Sequence, residues 1–436
     1  MPDFGIVPRS DPRARGHAVL QPSEPVQAVL NSNQYDLEVA GRTLLLNEAR
    51  SNSYFLLGEL HGENEIPALI DALWPAMWKA GYRHIGAEIS PWAAYQLEFA
   101  PVGHGPRITG LWTRRQAMNA HAVASPGTSV LWGCDMEEMQ PESLIRELAA
   151  LNSSNPVLQE MVQLTGKGYS RKLSPTLIEL ATKAGPMKDK IIGGISLRQN
   201  LLATLEIDKN RASPQTKMIA QNEWELLMKQ QFLAHLQHES QPGSKVLLRF
   251  GRNHLHRGFD ARGISTLGNF VAEYATAHGQ QAFNVGAFAA GGKETLMGET
   301  WDADERQDEP TFALLAENAK YPATLFDLRP LRPLLHGIPQ EKRTPLEVNL
   351  IYWADSYDAL DLLQDRHPVG PGIDDLSCHR CLRPVRYNTN KRLPYRGGAK
   401  TRDYFGRNHS SEVDATIREW QPMKNLTRTH CPWFCL

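Results

Sequence analysis

The sequence has no run approaching the roughly 20 consecutive apolar residues of a membrane helix, so no membrane partner is expected. Its opening, MPDFGIVPRSDPRARGHAVLQPSEP, lacks the apolar centre of a secretory signal. The expected location is cytoplasmic, or exported if the true start lies upstream. Cysteine is scarce: of five, only Cys134 precedes Gly370, which excludes a disulfide framework for the body of the chain. An excess of one charge is missing as well. With 47 Lys and Arg against 48 Asp and Glu, the formal net charge of −1 points to neither nucleic acid nor an anionic surface as partner. Absent too are G-x-S-x-G, H-E-x-x-H, a Gly-rich phosphate loop ending in Lys and Ser, and a dinucleotide fingerprint. Neither a serine hydrolase nor a nucleotide enzyme is expected.

What is present is an ordinary globular composition, 41% apolar and 22% charged, in a chain of 436 residues that is too long for one core. The near-zero charge hides an asymmetry. From Gly370 onward there are 12 basic and 6 acidic side chains, leaving 35 and 42 before it. The expected organisation is an extended leader over 1–44, an α/β domain over 45–369, and a basic tail over 370–436 that is disordered or a small module of its own. The tail pairs Cys378 with Cys381 and Cys431 with Cys435 in sequence, but the two pairs lie about 50 residues apart, wider than zinc sites use.

Strand-length apolar runs recur at 54–59, 84–89, 129–135, 245–251, 282–288 and 348–355, most of them bounded by Gly, Ser, Pro or Asp. Between them, 63–81 and 263–279 place apolar residues at three and four spacing and end in Gly, as helices do. Strand, helix and strand at this spacing predict an open, mainly parallel sheet flanked by helices. The span 141–243 holds the helix-like PESLIRELAAL and KMIAQNEWELLMKQQFLAHLQ and no strand, and is expected to be a helical insertion between strands three and four.

In an open parallel sheet, ligands bind beyond the carboxyl ends of the strands. Glu59 and His61 follow the first run, Glu88 and Asp135 close the second and third, and Arg252 and His254 follow the fourth. Glu88 and Asp135 also suit helix capping, and the basic loop RFGRNHLHRG suits a solvated surface. Carboxylates at the ends of apolar strands nevertheless carry a desolvation cost that a cationic partner offsets. Two chemistries fit this rim. In one, His61 is a general base for water, a carboxylate fixes its tautomer, and His254 or Arg252 polarises a carbonyl. In the other, His61, His254 and the carboxylates hold a divalent metal that activates the water.

LLGELHGENEIPALIDAL, GYRHIGAEIS, VLWGCDME, LLMKQQFLAHL, VLLRFGRNHLHRG and IYWADSYDALDLLQDRHPV resemble, in this order, segments of the erythromycin esterase and ChaN-like superfamily, over about residues 45–369. The resemblance implies an active-site rim of Glu59, His61, Glu88 and His254, with His61 as the water-activating base; Asp135 and Arg252, from the same strand ends, are expected near the substrate. It implies a hydrolase of an ester or lactone, acting on a small molecule with no required cofactor. The related TIKI-like proteases, which depend on a metal, and the ChaN-like members, which bind haem, are the alternatives it carries.

Overall fold

Tyr54–Glu59 forms a strand whose six residues are all buried, because alternate side chains serve two cores. Phe55 and Leu57 join one apolar cluster, and Tyr54 and Leu56 join another on the opposite face. The computed structural model describes residues 21–364 apart from 101–111, 126, 138–139, 240, 242, 297–298 and 307–308. By its internal contacts the chain divides into Met1–His379 and Arg380–Leu436. The expected tail over 370–436 lies outside the described residues, as do positions 1–20 of the expected leader.

The strands are β1 (Gln34–Asp36), β2 (Tyr54–Glu59), β3 (Tyr82–Ala87), β4 (Leu131–Gly133), β5 (Ile191–Ile192), β6 (Ile195–Ser196), β7 (Lys245–Gly251), β8 (Ala282–Leu296), β9 (Glu299–Asp304), β10 (Ala323–Asp327) and β11 (Ala359–Leu363). One nine-stranded sheet runs β1-β10-β11-β8-β2-β7-β3-β4, with β9 paired to β8 beyond it. From β11 to β4 every neighbouring pair is parallel, and β10 and β1 continue the sheet antiparallel. The fold is the expected mainly parallel α/β sheet flanked by helices. Among the described residues, no helix is long and apolar enough to cross a membrane.

Between β4 and β7, the third and fourth strands expected from the sequence, lie helices Pro141–Leu151, Pro156–Thr165, Ser174–Lys183, Leu197–Arg211 and Lys217–His238. Leu144, Leu158, Leu177 and Leu201 of the first four pack on the face that Phe55 serves. Trp224, Met228 and Phe232 of the fifth pack on the face of Tyr54. β4 is the sheet edge, so the insertion passes round it from one face to the other. That edge is capped by side chains: Glu98 accepts from the Val130 and Leu131 N–H groups, each at 2.7 Å, and His235 Nε2 donates to the Gly133 carbonyl at 2.9 Å.

Three expectations need correction. Residues 348–355 are not a strand but part of helix Pro345–Ser356, which Thr344 and Glu347 start with a capping box and Pro345 with its fixed φ. The last parallel strand is β11. The extended leader is wrong from residue 24, where Glu24–Ser32 is a helix that buries Val26 and Leu30, and β1 then joins the sheet. The insertion also contains the short antiparallel pair β5–β6, too brief to show as a strand pattern.

Candidate active site

β2, β7 and β3 are neighbours, so their carboxyl ends bring three polar segments together. Glu59, the last residue of β2, is in register with Gly251, the last of β7, and Glu88 follows the end of β3 on the other side of β7. Arg249 pairs in register with Leu57, two residues before Glu59, so strand periodicity puts Arg249 and Glu59 on one face. Arg249 Nε donates to Glu59 Oε2 at 2.6 Å, and its guanidinium carbon lies 4.7 Å from the centre of the Trp112 ring. Both partners are buried.

His61 lies in the turn after β2, where Gly62 takes φ of +86°. A Cβ at that position would come within 2.2 Å of the Thr295 carbonyl oxygen of β8, whose N–H donates to Gly62 O at 2.8 Å. The turn is thereby pressed against the β8–β9 hairpin, and Glu63 closes it by accepting from the Ile66 N–H at 2.9 Å. His61 Nδ1 is 3.1 Å from Glu59 Oε1, and its Nε2 is 3.4 Å from Glu88 Oε2. His254, in the 3-10 turn Arg252–His254 after β7, mirrors this arrangement. Its Nδ1 is 2.6 Å from Glu225 Oε1, and its Nε2 is 3.4 Å from Glu88 Oε1. Two imidazoles, each backed by a carboxylate at Nδ1, thus turn their second nitrogens towards Glu88 from either side.

The electrostatics follow from this packing. Burial works against a charged His61, but Glu88 and Glu59 outweigh it and raise its pKa to about 10. Burial also works against a charged Glu88, yet His61, His254 and the Gly251 N–H hold its carboxyl down at about 2. Glu59 is lowered against its own burial by Arg249 and His61, and His254 is raised against burial by Glu225 and Glu88. At neutral pH the resting site holds imidazolium between carboxylates. Gly251 makes the approach possible: a Cβ there would lie 2.8 Å from His61 Nε2 and 3.2 Å from Glu88 Oε2.

Glu59, His61, Glu88 and His254 therefore meet. Arg252 does not join them: its guanidinium is buried elsewhere, donating to the Ala287 carbonyl at 2.6 Å and pairing with Glu305, its central carbon 4.9 Å from the Phe312 ring centre and 5.5 Å from that of Trp353. Its expected place at the substrate is corrected for that reason. Asp135 accepts from the Met136 N–H and from Trp224 Nε1, and Trp224 meets the His254 ring edge-on at 4.6 Å. Asp135 thus stands behind His254 and supports it through Trp224. Arg249 and Glu225 are the contributors that sequence reasoning missed. Both break an apolar pattern: Arg249 interrupts KVLLRFG, and Glu225 shares a helical stripe with Met228 and Phe232.

A carboxylate behind Nδ1 is also how metal-bound histidines are held, and the donor types suit a divalent ion. As positioned, however, no group of three His, Cys, Asp or Glu among the described residues forms a metal cluster. A cleft of about 880 Å3 lies elsewhere, at the amino-terminal halves of β3 and β4, with Trp78, His84, Tyr95, Trp132, Lys190 and His235 in its lining. The four rim residues are not part of it. His84 pairs with Glu239 in its lining, whereas the Glu59–His61–Glu88–His254 cluster is at the opposite ends of the strands.

Fold and site together describe an α/β protein with an acid–imidazole cluster at the carboxyl edge of its sheet. Solved structures share this architecture. An erythromycin esterase mutant in its open conformation is 13% identical, with 78% of this chain and 96% of that one covered and a TM-score of 0.51. A protein from Bacillus cereus is 14% identical over 80% and 99% of the two chains, with a TM-score of 0.51. A succinoglycan biosynthesis protein is 13% identical over 81% and 99%, with a TM-score of 0.50. At these identities the likeness is one of fold, and the chain has an erythromycin esterase-like fold. No protein-family model matches the chain, and no curated protein sequence does.

Proposed function

We propose that the protein hydrolyses ester or lactone bonds, with His61 moving the proton of the attacking water. The observation that carries this reading is the pair of imidazoles, each backed at Nδ1 by a carboxylate and each turned by Nε2 towards Glu88. A catalytic histidine needs that backing, because it fixes the tautomer and aims the other nitrogen. The fold shared with an erythromycin esterase supports the same class of chemistry.

In this reading neutral His61 takes a proton from water at Nε2 while the water oxygen bonds to the carbonyl carbon. His254, as imidazolium, donates a hydrogen bond to the carbonyl oxygen as that oxygen gains charge. Collapse then breaks the bond to the leaving alkoxide, which takes the proton back from His61. Glu59 keeps His61 oriented throughout, and Arg249 holds Glu59. A substrate that displaces Glu88 from His61 removes the charge that most favours the imidazolium and so frees the base.

The test is a screen of esters, lactones and peptides with and without a chelator. Hydrolysis of an ester or lactone that survives chelation is expected. Turnover abolished by chelator and restored by Mn2+, Zn2+ or Co2+ would transfer the reading to a metal-dependent hydrolase or peptidase. A Soret band on titration with haemin, with no turnover of any ester, would replace it with haem binding.

A further inference from the structure

We infer that Glu225 is a positioning residue for His254, which makes the helical insertion part of the catalytic apparatus. The inference rests on the hydrolase reading above. Glu225 lies in the middle of helix Lys217–His238 and is buried on the stripe that also carries Met228 and Phe232. A carboxylate there is costly unless its oxygens are bonded. Both are: Oε1 is 2.6 Å from His254 Nδ1, and Oε2 accepts from the Leu267 N–H at 2.9 Å.

Leu267 is the first residue of helix Leu267–Ala277, so one carboxylate ties the insertion, the loop after β7 and the next helix together. With each oxygen engaged on a different element, the carboxylate cannot rotate away from the imidazole. It therefore holds the proton on Nδ1 and leaves Nε2 as the nitrogen facing Glu88. Trp224, the preceding residue, fixes the plane of the ring. It stands edge-on to His254 with an interplanar angle of 68°, and Asp135 holds its indole N–H. Consecutive residues of one helix thus hold the Nδ1 proton and the orientation of an imidazole from another segment.

A tie that only joined two helices would change stability and leave the ring protons of His254 as they were. The experiment uses the full chain with 15N-labelled histidine, in wild-type protein and in Glu225→Ala, Glu225→Gln and Glu225→Asp, with the His254 signal assigned by its loss in His254→Asn. The wild type should show a strongly deshielded Nδ1 proton on His254 that moves upfield in Glu225→Gln and vanishes in Glu225→Ala. On an ester that the wild type hydrolyses, kcat in Glu225→Ala should fall about 10²-fold with KM changed by less than about twofold, and Glu225→Asp should recover part of it. A folded Glu225→Ala that keeps the proton signal, or keeps wild-type kcat, overturns the inference. If that variant does not fold, Glu225→Gln carries the same two readouts. If the wild type hydrolyses no ester, the hydrolase reading falls, and the proton signal alone decides whether Glu225 sets the imidazole.

Discussion

Gly251 is the residue at which the site has least room to spare. Its φ of −51° suits any residue, so a Gly251→Ala backbone is not strained, but the new Cβ would press on His61 Nε2 and Glu88. That substitution should lower kcat/KM by about 10²-fold while leaving the denaturant midpoint nearly unchanged, since it displaces catalytic atoms without opening a cavity. Steady-state kinetics beside a denaturant melt check it, and full activity would show that the two groups need not be close. The protonation states give a second prediction. His61 is raised to about 10, so its contribution to stability is complete below its ordinary pKa and is lost as pH rises through about 10. Glu88 is lowered to about 2, so its contribution is present above the ordinary carboxylate range and is lost as pH falls through about 2. If His61 is the base and imidazolium His254 the donor, kcat/KM should rise with pH as His61 loses its proton and fall again as His254 loses its own. A profile with no rising limb above neutral pH would remove His61 from the role. Glu59, His61, Glu88 and His254 were legible as polar residues at the ends of apolar runs. Arg252 has the same local signature and lies in a different environment, because which way a side chain leaves a strand end depends on partners distant in sequence, here Glu305. Glu225 was illegible for the converse reason: a lone Glu on a helix looks solvated until the tertiary packing buries it.

At the scale of elements, the sequence was most readable where one pattern ran without a rival. β2 and β7 have the bounds expected from their apolar runs, and Glu65–Lys79 and Leu267–Ala277 lie within the expected helices. The segment 348–355 was ambiguous, since a short apolar run suits a buried strand and a buried helix alike. The start signals decide it: Thr344 accepts from the Glu347 N–H at 3.2 Å, while the Glu347 carboxylate accepts from the Thr344 N–H at 2.9 Å. Thr344→Ala should therefore cost about 1 kcal/mol of stability by equilibrium unfolding in urea, with activity unaffected. A loss within error of zero would mean that packing of Leu346, Leu350 and Trp353 sets the helix without its cap. The insertion illustrates a different limit. Its helices were recognisable from periodicity, but their division between two faces follows from β4 being the sheet edge, which depends on the order of all the strands.

At the scale of the whole molecule, the sheet explains why residues from positions 59, 61, 88 and 254 can act as one group. β7 lies between β2 and β3, so strands far apart in sequence end side by side, and the Arg249–Glu59 and Glu225–His254 pairs hold the two imidazoles from opposite faces of the sheet. Solved structures share this architecture, an erythromycin esterase among them, at 13% identity. The most direct measurement of the central claim is the turnover of one ester, taken from the screen, by wild-type protein and by His61→Ala under identical conditions, with circular dichroism confirming that both are folded. Hydrolysis in the variant should fall by at least about 10²-fold, the smallest contribution expected of a general base. A folded His61→Ala that turns the ester over at the wild-type rate would contradict the account.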